Sequence, residues 1–333
     1  MTLAVVRSVA EWKQRFGADT HGAAITIGNF DGVHLGHREI LRRVVERARV
    51  ENLLATVVTF DPHPLRVLRP DEAPLLLLTL EQRLAEIGRL GIDAAMVLRF
   101  DAELARLSAR EFVEQIVVGT LRTKAILVGE NFRFGHRGAG DVGLLREFGR
   151  EFGFEVECID PVVCRGEVVS SSAIRRAVCE GRLIDAGRFL GRPFSLAGEI
   201  VGGSGLGRKF VVPTLNLRSA QELLPRMGVY ATEVLVDGRK FRAVTNVGMR
   251  PTFSGKALSV ESFLFDFDQE ITSGPLEVRF FSRLRDEMKF SGAEALRAQI
   301  LLDAARGRRF FRLLDRMKVG GGENAARKQA LRG

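Results

Sequence analysis

The densest concentration of chemistry in the chain is the run Gly28, Asn29, Phe30, Asp31, Gly32, Val33, His34, Leu35, Gly36, His37. Glycines let the backbone turn tightly and approach a ligand, and histidines three residues apart at a helix start can aim donors at one phosphate. The helix terminus adds unpaired amides and the positive end of its dipole. A turn with surface histidines is the plain alternative, but two of the chain's five histidines fall in this one turn, which favours phosphate binding. Gly28, Phe30, Asp31 and Gly36 are therefore nucleotide-binding candidates beside His34 and His37, with a second reading for Asp31 as a group that hydrogen-bonds its own turn. A second cluster joins Ser170, Ser171 and Ser172 to Arg175. Ser171 and Ser172 can cap a helix and meet a phosphate, and Arg175 supplies a planar fork one turn later.

A third cluster is the glycine-rich run Gly202 to Lys209, followed by Pro213, Thr214, Leu215 and Asn216. Phe210 follows Lys209 where a Walker loop has Ser or Thr, and strands follow where it has a long helix, so that arrangement is excluded. The amides of Gly205 and Gly207, with Arg208, can still cradle a phosphate. If the chain is extended there, Thr214 and Asn216 share one face and offer a hydroxyl and an amide oxygen suited to Mg²⁺ and nucleotide oxygens. Taken alone, a flexible hairpin is an equal reading. Alternation across 260–267 puts Glu261 on the face of three phenylalanines, where a carboxylate is out of place. Two readings stay open: a partly desolvated general base, or a residue at a frayed strand end that meets water.

These clusters need scaffolds. Short β-branched or aliphatic runs at 24–27, 55–60, 95–100, 124–128 and 155–159 alternate with helical patterns, the first of them carrying Ile40, Val44 and Ala48 on one stripe. Thr79 with Gln82, and Ser108 with Glu111, form capping boxes. This rhythm predicts an α/β doubly wound parallel sheet whose ligands sit at the carboxyl ends of its strands. Near residue 187 the rhythm becomes strand after strand, at 197–201, 229–236, 241–247, 260–267 and 276–281, which predicts a small antiparallel β-barrel. A closing helix fits 291–304, started by a Ser291 and Glu294 box and buried through Ala293, Leu296, Ile300 and Ala304. The expected division is 1–186, 187–317 and a basic, loosely ordered tail at 318–333.

Composition narrows the class. The 333 residues suit two domains, and 46% hydrophobic with 27% charged residues is an ordinary folded balance. Three cysteines, Cys158, Cys164 and Cys179, are too few for a disulfide framework and form no Cys-x-x-Cys clip. No apolar run reaches the roughly 18 residues of a membrane span, and the opening is unlike a secretory signal, so a cytoplasmic protein with no membrane partner is expected. A net charge of +9 favours anionic partners, but the basic residues are scattered, so small nucleotides are favoured over specific nucleic-acid binding. An oligomer is neither required nor excluded.

The first run resembles the His-x-Gly-His signature of nucleotidyltransferases, and Thr59, Phe60, Asp61, Pro62, His63, Pro64 narrows the resemblance to the flavin adenylyltransferase family. Gly129 to Gly135, with Asn131, and the serine cluster with Arg175 continue it in order. The second half resembles riboflavin kinase, fused behind the adenylyltransferase as in bacteria, with Asn246 to Phe253 and Arg285 to Phe290 in support. The likeness spans roughly residues 5 to 310. It implies that riboflavin and ATP give FMN in the second domain, and that FMN and ATP give FAD and pyrophosphate in the first. It further implies that His34 and His37 hold ATP phosphates, Arg175 takes pyrophosphate, Asn131 orients substrate, Thr214 and Asn216 hold Mg²⁺ and ATP, and Glu261 accepts the ribityl hydroxyl proton. One departure is local: the family's Gly-Phe-Pro-Thr-Ala-Asn reads Val211, Val212, Pro213, Thr214, Leu215, Asn216, changing side-chain volume beside the nucleotide. Two rivals are a transferase for another phosphorylated acceptor with a degenerate second domain, and a non-catalytic nucleic-acid- or flavin-binding regulator.

Overall fold

Residues 2–17, 21–201, 214–252, 255–267 and 271–330 are described by the computed structural model. Contacts divide the chain into two units, Met1–Ala173 with Phe189–Gly191, and Ile174–Arg188 with Arg192–Gly333.

In the first unit β1 (Ala4–Val6), β2 (Ala23–Ile27), β3 (Leu54–Asp61), β4 (Ala94–Arg99), β5 (Thr123–Gly129) and β6 (Glu155–Ile159) form one sheet in the order β1-β4-β3-β2-β5-β6. Every pairing is parallel. Every residue of β2 is buried, as both covered faces of a central parallel strand require. Period two sorts the side chains: Ile25, Ile27, Met96 and Ile126 pack on one face of the sheet, and Ala24, Val57, Ala95 and Leu127 on the other. The second face is covered by α2 (Leu35–Glu51), through Leu41, Val44 and Ala48, and by α4 (Leu80–Arg89), through Leu84 and Ile87. The chain runs outward from β2 through β3 to β4, then returns to β5 on the other side of β2. This reversal opens a crevice at the carboxyl ends of β2 and β5, where the first histidine turn and the 129–135 run both leave the sheet.

Both expected capping boxes are present, Thr79 with Gln82 at α4 and Ser108 with Glu111 at α5 (Ala109–Phe112), which continues as a π-helical turn over Val113–Val118. Three further helices belong here: α1 (Val9–Phe16), α3 (Pro64–Leu68) and α6 (Val142–Phe152). The hairpin β7 (Val163–Cys164) and β8 (Glu167–Val168) precedes α7 (Ser171–Cys179).

In the second unit α8 (Leu183–Leu190) leads to β9 (Phe194–Val201), β10 (Leu215–Ser219), β11 (Gly228–Val236), β12 (Arg239–Thr252), β13 (Gly255–Leu264) and β14 (Pro275–Arg285). The six strands close a barrel in the order β10-β13-β12-β11-β14-β9, antiparallel throughout. A buried line of hydroxyls crosses it, Thr232 to Thr245 at 2.7 Å and Thr245 to Ser262 at 2.8 Å. The helix α9 (Ala293–Ala330) packs Ala304 and Phe311 against Val229, Ala231 and Val244.

Several expectations shift. The last helix begins at Ala293 with the Leu296 amide on the Gly292 carbonyl, so Gly292 takes the cap position assigned to Ser291. Of the expected stripe Ala293 is exposed, Leu296 and Ile300 are half-buried and Ala304 is buried, and the buried face continues through Gly307 and Phe311. The helix also continues through the stretch expected to lie loose. β13 stops at Leu264 because Asp266 turns with a φ of 55°, so Phe265 and Phe267 lie beyond the strand and only Phe263 extends the face of Glu261. Strand β10 was anticipated only conditionally, and β1 not at all.

Candidate active sites

The first site is built on a strained turn. Phe30, Gly32 and Val33 carry φ of 51°, 85° and 42°, and two of the three pay a steric cost that glycine avoids. Two supports hold them. Asp31 is buried, and its carboxylate accepts from the Leu77 amide at 3.0 and 3.1 Å and from the Leu78 amide at 3.2 Å. Ser171 donates its hydroxyl to the Asp31 carbonyl at 2.8 Å. Asp31, expected beside the nucleotide or on its own turn, therefore braces the turn against a segment 46 residues away.

His34 caps α2, its Nδ1 accepting from the His37 amide at 3.3 Å. That bond leaves Nδ1 unprotonated and puts the His34 proton on Nε2. The two rings stack with centroids 3.6 Å apart and planes 17° apart, and Phe30 meets His37 edge-on at 5.1 Å. Gly36 is in close approach to the ring: a Cβ there would lie 3.2 Å from His34 Cε1, so the ring would have to give by a few tenths of an ångström. His37 has its pKa held well below 6.5, first by burial, then by the electrostatic influence of the neighbouring His34 and Arg83. Its Nδ1 is buried without a hydrogen-bond partner.

Beside this turn, across Gly28 and Asn29, lies a cavity of about 900 Å³. Its wall includes Phe60, Phe100, Asn131, Phe132 and Phe134, with Phe132 and Phe134 stacked at 5.4 Å. Asn131 is therefore brought to the cavity wall. His63 is buried; its Nδ1 accepts the Leu65 amide and caps α3, while its Nε2 meets the Asn29 side chain at 3.2 Å.

In the serine cluster Ser170, not Ser171 or Ser172, caps α7, its hydroxyl accepting the Ala173 amide at 3.2 Å. Ser171 is spent on the Asp31 carbonyl, and Ser172 is exposed. Arg175 lies one turn further along the helix, in the second contact unit.

The sequence reading missed Arg83. It is 5% exposed on α4 and donates to the Asn29 carbonyl at 2.6 Å and the Phe60 carbonyl at 3.0 Å. Burial opposes its charge, and Asp31, Asp61 and Glu81 favour it. An arginine next to Leu84 and Ile87 on an apolar helix face was the available signal, the same kind that singled out Glu261.

The second site lies on the outer wall of the barrel. Thr214, Val244, Asn246, Glu261, Phe263, Arg285 and Glu287 line a cavity of about 170 Å³ with Leu296, Ile300 and Asp303 of α9. In the strand register Asn216 lies opposite Glu261, which faces Asn246 on its other side, so these three side chains share one face. Thr214, Asn216 and Glu261 are thus gathered, and the frayed-end reading of Glu261 gives way to one in which it is paired on both sides. The Thr214 hydroxyl and the Asn216 amide oxygen are hard donors that fit Mg²⁺, which takes few protein ligands and completes its shell with water and phosphate, and the Glu261 carboxylate stands beside them. The α9 wall is fixed by an ion pair between half-buried Arg285 and buried Asp303 at 2.7 Å, to which Gln299 adds a bond at 2.9 Å. Gly205, Gly207, Arg208, Val211 and Val212 lie outside the described residues; Leu215 is buried.

A doubly wound sheet with stacked histidines at its switch point, followed by a closed barrel with a carboxylate-lined cavity, defines a two-part transferase acting on phosphate groups. The FAD synthetase family model matches residues 17–173 and the riboflavin kinase model residues 190–311. The chain is 38% identical to the bifunctional riboflavin kinase/FMN adenylyltransferase of Escherichia coli K12 over 89% of its length and 95% of the relative's. It is 36% identical to that of Haemophilus influenzae, over 87% and 94% of the two chains. A solved structure described as a macrolide-efflux protein from Streptococcus pneumoniae superimposes with a TM-score of 0.80 at 28% identity, covering 92% of this chain and 99% of that one. Among the described residues no helix is long and apolar enough to cross a membrane. The chain belongs to the bifunctional riboflavin kinase/FMN adenylyltransferase family.

Proposed function

We propose that the first unit adenylylates FMN at the histidine turn and that the second phosphorylates riboflavin at the Glu261 cavity, with ATP as donor in both, in the cytoplasm where ATP is at hand. In the first reaction a phosphate oxygen of FMN attacks the α-phosphorus of ATP, and the bond to the β-phosphate breaks to release pyrophosphate. No covalent enzyme intermediate is needed, so the protein's task is positioning and charge neutralisation. The amides at the start of α2 and His34 Nε2–H meet the triphosphate, His37 backs His34, and the Phe-lined cavity holds the flavin; the family resemblance assigns the departing pyrophosphate to Arg175. In the second reaction the terminal ribityl oxygen attacks the γ-phosphorus of ATP, its proton passes to Glu261, and ADP leaves. Thr214 and Asn216 would hold Mg²⁺, which supplies charge neutralisation on the phosphates.

The observation that carries this reading is the union of two separate oxygen-handling centres, the stacked His34 and His37 pair and the Thr214, Asn216 and Glu261 set, on units that match two different enzyme models. The test is product analysis: incubate the protein with riboflavin, ATP and Mg²⁺ and resolve FMN and FAD by chromatography. His37→Ala abolishes FAD while FMN accumulates, and Glu261→Ala stops FMN formation while supplied FMN is still converted. Equal loss of both steps in either variant overturns the two-centre assignment.

A further inference from the structure

We propose that Arg83 is a positioning residue for adenylyl transfer, one that ties the carboxyl ends of β2 and β3 together beneath the histidine turn and so fixes the phosphate centre relative to the neighbouring cavity. The proposal rests on the adenylyltransferase reading of the first unit.

Arg83 is a charged side chain 5% exposed, and it is placed by two carbonyls rather than by a carboxylate partner. One guanidinium nitrogen donates to the Asn29 carbonyl at 2.6 Å and the other to the Phe60 carbonyl at 3.0 Å. Asn29 and Phe60 both line the 900 Å³ cavity, and Asn29 begins the turn that carries His34 and His37. The Asn29 side chain reaches His63, which caps α3, so the same peptide is held from a second direction. Asn29 lies just past the end of β2 and Phe60 near the end of β3, still paired with Leu98, and a planar fork spans both carbonyls where a single donor, such as the Thr59 hydroxyl on the Asn29 carbonyl at 3.5 Å, spans one. The guanidinium also acts electrostatically on His37, across the turn it supports. A purely structural salt bridge would have used Asp31, but that carboxylate is given to Leu77 and Leu78. Arg83 Nε is buried without a hydrogen-bond partner, so the two carbonyl bonds are what satisfy the guanidinium at this depth.

The clamp acts on geometry, so its loss falls on turnover more than on substrate affinity. Arg83→Met keeps length and apolar volume and removes both donors and the charge; Arg83→Lys keeps the charge and one carbonyl contact. Both are assayed in the full chain with ATP and FMN, with conversion of riboflavin to FMN by the second unit as the internal measure of folded protein. The expected result is a fall in adenylyl-transfer kcat of about a hundredfold for Arg83→Met, the scale on which misplacement of reacting groups acts. KM for ATP and FMN changes less than fivefold, kinase turnover is retained, and Arg83→Lys recovers part of kcat. If Arg83→Met unfolds the first unit, Arg83→Lys decides alone, since it must lose kcat while the unit stays folded by thermal unfolding. Wild-type kcat in either folded variant, or a loss confined to KM, overturns the proposal. Failure of the wild-type chain to make FAD from FMN defeats instead the reading on which it rests.

Discussion

Replacing Asp31 by alanine separates a brace from a ligand. The carboxylate holds two backbone amides, and Leu77 is 1% exposed, so its amide has no route to water once the acceptor is gone. An unsatisfied buried amide costs about 1–3 kcal/mol. Leu78 is half-buried and recovers part of its bond from solvent, so the sum for Asp31→Ala is about 2–4 kcal/mol. In a unit of this size that corresponds to a fall of about 5–15 °C in the first unit's unfolding temperature. Asp31→Asn keeps a neutral acceptor and loses about half as much. The turn loosens with the brace, because a Cβ at Gly32 would lie 2.7 Å from the Leu77 side chain, which shows how closely the two segments pack. Calorimetry with and without ATP, together with adenylyl-transfer kinetics, gives both quantities, and kinase turnover controls for the rest of the chain. If Asp31→Ala leaves the first transition within about 0.5 kcal/mol of wild type while ATP binding collapses, the carboxylate acts on the nucleotide and the reasoning fails.

Asp303→Ala removes the carboxylate partner of the half-buried Arg285 guanidinium, which keeps its bond to the Asp286 carbonyl, so the cost is about 1–3 kcal/mol; the second unit unfolds earlier and KM for riboflavin rises, read by thermal scan and kinase assay. Gly36→Ala drives a methyl group to 3.2 Å from His34 Cε1, tilting the ring off the His37 amide; FAD formation falls about ten- to a hundredfold while FMN formation is unchanged. His37 remains neutral below pH 6.5 in the folded chain, whereas the unfolded chain takes up a proton there. The first unit therefore loses stability as pH falls below 6.5, by about 1.4 kcal/mol per pH unit until the folded pKa is reached. His37→Asn removes this slope, and NMR titration of the ring checks the pKa directly.

The sheet was legible because its strands are buried on both sides and each helix start carries its own punctuation: Thr79 and Ser108 cap where their spacing to Gln82 and Glu111 says. The histidine turn was legible because composition and position coincide there. What escaped were decisions made between distant segments. Nothing local tells Asp31 that its partners are Leu77 and Leu78, or tells Ser171 that a carbonyl 140 residues earlier will take its hydroxyl while Ser170 does the capping. The Ser291 box failed for the opposite reason, since Gly292 at the cap forms the first helical bond without a side chain. Glu261 was placed on the right strand and face, but the two asparagines that flank it follow from barrel register, which alternation alone does not reveal. Arg83 carried a visible signal, a cation on an apolar helix face, whose meaning depends on carbonyls contributed by two other strands.

The three residues of β1 border the sheet by pairing with Ala94, Ala95 and Met96, all fully buried. Take that selvedge away and β4 presents a bare row of amides and carbonyls set in apolar side chains, the kind of border that recruits another chain. β4 cannot acquire this hem until some ninety residues after β1 has been made, so β1 waits unpaired through early synthesis. Trimming residues 2–6 is thus felt first as clumping during expression, while the chemistry around β2, three strands inward, survives in whatever fraction stays dispersed.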